Sequence, residues 1–158
     1  MPIQSTRANS SILNTMNKSA IFVVGQFIFG IFLLATTSFS KINLFSGLFA
    51  LIGCTIVLWA TISMRKSVIK VFPDVDKQAK LIENGPYQWI RHSMYSGVLF
   101  AFIGLLLTQT TLIRFLAYIL LTVDLILKLN FEESLLEKHF KNYRFYKKKT
   151  FRLVPFIY

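Results

Sequence analysis

Residues 84–97 read NGPYQWIRHSMYSG, and residues 128–133 read KLNFEE. The first stretch supplies Tyr87, Arg91, His92 and Tyr95, and the second Lys128, Glu132 and Glu133. Arg91 and His92 are donors suited to an anion. With Ser93 as the N-cap of a following helix, free first-turn N–H groups would add to them. Glu132 and Glu133 are acceptors for hydroxyl or ammonium groups. Donors in one cluster, acceptors in the other and aromatic faces between them suit a zwitterionic, ring-bearing ligand. Metal chemistry does not fit. His139 is the only other histidine and Cys54 the only cysteine, so no multi-cysteine site and no intrachain disulfide can form.

The elements that must position these clusters are apolar. The chain has 158 residues, 54% of them hydrophobic, with 16 Phe, so one integral membrane domain over 1–158 is expected. Apolar runs fall at 20–39, 44–64, 94–107 and 112–131. A helix rising about 1.5 Å per residue needs ~20 residues to cross a ~30 Å hydrocarbon core, which the first two runs supply. The third is short, and the fourth contains Asp124 and Lys128. The fold class is therefore all-α and polytopic, with about four transmembrane helices. The first run is read as a retained span rather than a signal peptide. Cys54 is expected to be a buried, inert thiol.

Charge orients the spans. Only Lys41 lies between the first two runs and only Arg114 between the last two. Arg65, Lys66, Lys70, Lys77, Lys80 and Arg91 crowd the middle loop, and the tail after Glu137 is strongly basic. The positive-inside rule puts both termini and the middle loop in the cytoplasm. The third and fourth runs then form a hairpin turning at Thr108–Thr111, which brings the start of one and the end of the other side by side at the cytoplasmic face. Pro73, Asp74 and Asp76, with Asn84-Gly85 at the other end, suggest a short surface helix or an extended loop.

Each signal also has a plainer reading. Tyr87, Trp89 and Tyr95 suit an interfacial belt, and Arg91 a topology signal. Asp124 and Lys128 are spaced for an internal i,i+4 ion pair, as are Glu137 and Lys141. The net charge of +11 and the tail KNYRFYKKKTFR resemble a single-strand binder. Beside a membrane, anionic lipid is the simpler partner, and nucleic acid is not expected.

GPYQWIRHSMYSG resembles the G-P-Y-x-x-x-R-H-P-x-Y-x-G signature of the isoprenylcysteine carboxyl methyltransferase family. FEESLLEKHFKNYRFYKKKTFRLVPF is similar to the family's E-E-x-x-L…F-G-x-x-Y-x-x-Y…P tail. The two motifs occur in order over about 81–156 and flank one hydrophobic hairpin. Phospholipid N-methyltransferases share a related arrangement. The sequence departs from the signature at Ser93, where the family has Pro, and at Lys141, where it has Gly.

The resemblance implies a polytopic, S-adenosyl-L-methionine-dependent enzyme with a cytoplasmic-side cofactor pocket. Carried over, His92, Tyr95, Gly97, Glu132 and Glu133 would hold the cofactor, and Gly85, Pro86 and Tyr87 would shape the loop over it. Arg91 would grip an anionic substrate or the cofactor's carboxylate, and for an amine acceptor Glu132 or Glu133 would serve as base. Gly97 also suits close helix approach. The expected substrate is lipidic or prenylcysteine-bearing and enters from the bilayer. The alternatives are a phospholipid or amine N-methyltransferase and a non-catalytic tetraspan scaffold.

Overall fold

A computed structural model of the chain describes residues 3–65, 81–155 and 157. Among these residues five α-helices follow in order: α1 Ile3–Ala35, α2 Leu44–Arg65, α3 Ser93–Thr108, α4 Leu112–His139 and α5 Tyr143–Lys149. Among the described residues the only extended pairing is a single parallel bridge between Ile90 and Phe151. The fold is all-helical.

The ends of these helices follow from local chemistry. α1 stops four residues before the apolar run does. The Thr36 and Thr37 hydroxyls donate to the Phe32 and Leu33 carbonyls, each at 2.7 Å, and satisfy acceptors that a helix end leaves orphaned. A 3₁₀ turn at Phe39–Lys41 follows. α2 opens on a reciprocal cap, in which Asn43 Oδ1 accepts from the Ser46 N–H and the Ser46 Oγ from the Asn43 N–H, both at 2.9 Å. Thr111 caps α4 by accepting from the Arg114 N–H.

Among the described residues two helices are long and apolar enough to cross a membrane: Asn17–Ala35 within α1 and Leu44–Met64 within α2. Most of each faces outward, with Phe27, Ile31, Leu51 and Leu58 among the exposed side chains. Cys54 faces outward too, which corrects its expected burial. It lies on the apolar outer flank of α2, where a small thiol needs no partner.

α3, only 16 residues long, packs most extensively on α2, while α4 packs most extensively on α1. The α2–α3 contact is backbone on backbone. A Cβ on Gly97 would stand 2.8 Å from the Gly53 carbonyl oxygen, and one on Gly104 2.6 Å from that of Ser46. Small residues allow such approach where no hydrophobic drive toward water exists. The core lies between α1, α3 and α4, with Leu33, Leu121, Leu125 and Leu129 fully buried.

Arg114, counted above as a loop charge, is buried. Its guanidinium donates to the Leu105 carbonyl at 2.6 Å, to the Thr36 carbonyl and to the Thr36 hydroxyl at 3.0 Å. It ties the ends of α1 and α3 to the start of α4. The proposed surface helix falls mainly on residues outside those described; Leu81–Glu83, just before Asn84-Gly85, are not helical.

Candidate active site

The path to the site begins with a 3₁₀ turn at Gly85–Gln88. Gly85 has φ +62°, a left-handed conformation that costs an L side chain roughly 1–2 kcal/mol. A Cβ there would also collide with the Ser63 hydroxyl on α2. Pro86 sits in the turn's first positions, where its missing N–H costs nothing. The turn drives Tyr87 inward against Ala60 and Ile82, with Met64 and Met94 alongside. Burial pushes the Tyr87 phenol up to about 12 and leaves its hydroxyl without a hydrogen-bond partner.

Arg91 and His92 follow. Their backbone N–H groups donate to the Phe151 carbonyl at 2.8 Å and the Arg152 carbonyl at 3.0 Å, and the Phe151 N–H donates to the Trp89 carbonyl at 2.8 Å. The C-terminal segment is thus laid alongside residues 89–92. The Arg91 side chain completes the join. Nε donates to Glu133 Oε1 at 3.0 Å, and Nη1 donates to the Lys147 carbonyl at 2.9 Å, to the Thr150 carbonyl and to Thr150 Oγ1 at 3.1 Å. A guanidinium at the last turn of α5 also meets the negative end of that helix.

The two adjacent glutamates have different environments. Glu133 is buried. Besides Arg91 it accepts from Arg152 Nη2 at 2.7 Å, and it has His92 Nε2 at 3.4 Å and Lys147 Nζ at 3.5 Å. Burial alone would raise its carboxyl. Hydrogen bonds from His92, Arg152 and Arg91, together with the Arg91 charge, overcome that and hold it well below the usual carboxylate range. Glu132 is about one-third exposed, with Oε1 accepting from the Tyr95 hydroxyl at 2.7 Å. His92 Nδ1 and Lys128 Nζ each lie 4.0 Å from its carboxylate. The His92 and Tyr95 rings are stacked, 5.6 Å apart and 1° from parallel, and Lys128 Nζ sits 5.2 Å from the Tyr95 centroid.

The structure therefore brings together Arg91, His92, Tyr95, Lys128, Glu132 and Glu133. Gly97 lies apart, turned toward α2, and Gly85, Pro86 and Tyr87 lean on α2 as well. Several expectations change. Ser93 is not the cap: it is the first residue of α3, and its hydroxyl donates to the Ile90 carbonyl instead of accepting. Asp124 and Lys128 form no ion pair, because Lys128 extends toward the helix end and donates to Gln26 Oε1 at 3.3 Å. Glu137 pairs with Lys147 at 2.8 Å rather than with Lys141. Of the aromatic belt, only Trp89 stays outside, edge-on to Trp59; Tyr87 is buried and Tyr95 is partly buried.

Sequence reasoning missed the tail's part in the site. Tyr143 and Tyr146 are buried while Phe145 is exposed, and the Tyr146 hydroxyl donates to the Tyr87 carbonyl at 2.6 Å. The signal was the spacing of Tyr143, Tyr146 and Thr150, which repeats at three and four residues and marks one inward helical face. Among the described residues no group of His, Cys, Asp and Glu could hold a metal ion.

The phospholipid methyltransferase family model matches residues 42–143, from just before α2 to the first residue of α5. The chain belongs to that family. The match reaches back to α2, well before the stretch from 81 that the motifs indicated, and does not single out the isoprenylcysteine branch. Neither a curated protein nor a solved structure matches. Family membership carries methyl transfer by a membrane protein as the coarse activity.

Proposed function

We propose that the chain is an S-adenosyl-L-methionine-dependent methyltransferase that modifies a lipidic acceptor at the cytoplasmic face of a membrane, with four spans and both termini in the cytoplasm. The observation that carries this reading is the asymmetry of the glutamate pair. Glu133 has both oxygens engaged by cations, whereas Glu132 is partly open beside a stacked His92–Tyr95 pair. That arrangement fits the cofactor's chemistry. Glu132 has lone pairs left for ribose hydroxyls or an ammonium, and the aromatic pair offers a face to a ring or a sulfonium. The Tyr87 hydroxyl is a buried polar atom without a hydrogen-bond partner, as expected where a ligand belongs.

When bound, the cofactor supplies an electrophilic methyl group on sulfur. Glu132, His92 and Tyr95 bind and orient it, and Tyr87 with the Gly85–Gln88 turn walls it off from α2. Arg91 and Glu133 act as positioning residues. Their mutual bond, with the Lys147 and Thr150 carbonyls, holds the tail as a floor that keeps water out. With its carboxyl held low and both oxygens occupied, Glu133 is poorly placed to take a proton. A prenylcysteine carboxylate would need no base, while a phospholipid amine would.

The test is transfer of labelled methyl from the cofactor by purified protein to a membrane lipid extract. Label in the lipid phase is expected, and its absence together with no cofactor binding would return the chain to a scaffold role.

A further inference from the structure

α5 has two faces, and the proposed site uses only one. Tyr143, Tyr146 and Thr150 are buried, and the Lys147 and Thr150 carbonyls take the Arg91 guanidinium. Arg144 and Lys148, and likewise Phe145 and Lys149, are spaced four apart and share the opposite face. All of them are exposed, Phe145 at 67%, and exposed Lys141 comes just before the helix. No acid follows Glu137 in the chain. Glu133 and Glu137 already have their cations: Arg152 at 2.7 Å and Lys147 at 3.5 Å from Glu133, and Lys147 at 2.8 Å from Glu137. Among the described residues Lys141, Arg144, Lys148 and Lys149 form no ion pair. The outer face is therefore cationic, uncompensated and centred on an aromatic side chain.

The chain also ties α5 to a depth. Two residues past the helix, the Phe151 N–H donates to the Trp89 carbonyl at 2.8 Å. Trp89 and Trp59 are exposed and meet edge-on, 6.0 Å apart. Exposed tryptophans at the end of an apolar span mark the head-group level of a bilayer. A seven-residue helix does not persist by itself, so what its two faces touch decides whether it stays formed.

We propose that the outer face of α5 docks on anionic lipid head groups of the cytoplasmic leaflet, with Phe145 inserted among them, and that this contact holds the tail closed on Arg91. The link to cofactor binding rests on the methyltransferase reading; the docking needs only the membrane. Lys141, Arg144, Lys148 and Lys149 supply the attraction, and Phe145 adds apolar burial at the head-group boundary. Arg91 and Glu133 grip α5 from the protein side, so docking gives the helix its second hold. Docking and closure of the site floor are then linked. Anionic lipid strengthens cofactor binding by the same factor as the cofactor strengthens docking.

The experiment uses the full chain in nanodiscs of phosphatidylcholine, alone or mixed with phosphatidylglycerol. For docking, the chain carries Cys54→Ser and Phe145→Cys, labelled with an environment-sensitive fluorophore. The probe should shift to the blue only with phosphatidylglycerol, and high salt should reverse the shift. A base near an anionic surface contributes about fivefold, so Lys148→Gln with Lys149→Gln should lower the docked fraction's ratio to free roughly twenty- to thirtyfold, and the paired Arg substitutions should restore it. For the link, calorimetry of the unlabelled chain should show tighter S-adenosyl-L-methionine binding in the anionic discs. The Gln pair should abolish that gain and leave affinity in phosphatidylcholine unchanged.

Equal probe spectra in the two discs, or a shift that survives the Gln pair, would overturn the docking. So would a single-stranded oligonucleotide that displaces the face from phosphatidylglycerol discs, which would make nucleic acid its partner. Docking with equal cofactor affinity in both discs would overturn the link to the site. Absence of cofactor binding in both discs would defeat the methyltransferase reading and the link with it, while the probe still decides the docking.

Discussion

Replacing Glu133 by Gln removes one charge and leaves the cations around it facing each other. The Arg91 and Glu133 side chains are 6% and 3% exposed, so theirs is a buried pair. Breaking such a pair from one side costs about 3–5 kcal/mol. Arg152 and Lys147 are 24% and 37% exposed and can re-solvate, so each adds at most about 1 kcal/mol. Gln keeps an oxygen for Arg91 Nε, which places the expected loss near the lower bound, about 3 kcal/mol. For a chain of this length that is roughly 6–12 °C in Tm.

Because Glu133 anchors α5, the loss should show first as local opening. Trypsin should cut after Lys147, Lys148 and Lys149 faster in Glu133→Gln than in wild type. Arg91→Lys should release the tail in the same way, since an ammonium cannot reach Glu133 and the Lys147 and Thr150 carbonyls at once. The Glu133 carboxyl is held below its unfolded value near 4.3, so its stabilisation is present above that pH and lost as pH falls below it. The variant should lack this acid-dependent part of the stability profile. A Tm within about 2 °C of wild type, with unchanged tryptic half-life, would refute the reasoning.

Gly85→Ala should destabilise by about 2 kcal/mol or more in detergent melts, combining left-handed strain with collision against Ser63. Burial lifts the Tyr87 phenol to about 12, so its contribution is full below pH 10 and lost as pH rises toward 12; Tyr87→Phe should flatten that alkaline decline in a pH series of melts. On a Cys54→Ser background, a cysteine at Lys148 should label only from the cytoplasmic side and one at Lys41 only from the opposite side.

The helical fold was legible because apolar runs separated by charge leave few alternatives for a backbone that must satisfy its own hydrogen bonds. The meeting of Arg91 and His92 with Glu132 and Glu133 was legible for a similar reason: a tight turn at 109–111 joins α3 to α4 and fixes which ends meet. The different environments of Glu132 and Glu133 were not. Their distinction depends on Arg152 and Lys147, and a basic tail reads the same whether it docks on lipid or folds back on a carboxylate. Arg114 was misjudged likewise, since loop position does not reveal that the Thr36 and Leu105 carbonyls converge on it. The Gly53–Gly97 contact was half legible: Gly97 announced close approach, but nothing in the sequence named α2 as the partner.

Calorimetric titration of S-adenosyl-L-methionine into wild type and Glu132→Gln tests the central claim most directly. Glu132 is partly exposed and pairs chiefly with the Tyr95 hydroxyl, so Gln should leave Tm nearly unchanged. Loss of one charged hydrogen bond, about 1.5–3 kcal/mol, should weaken binding roughly ten- to a hundredfold. Equal affinity in the two proteins would contradict the account and place the cofactor elsewhere.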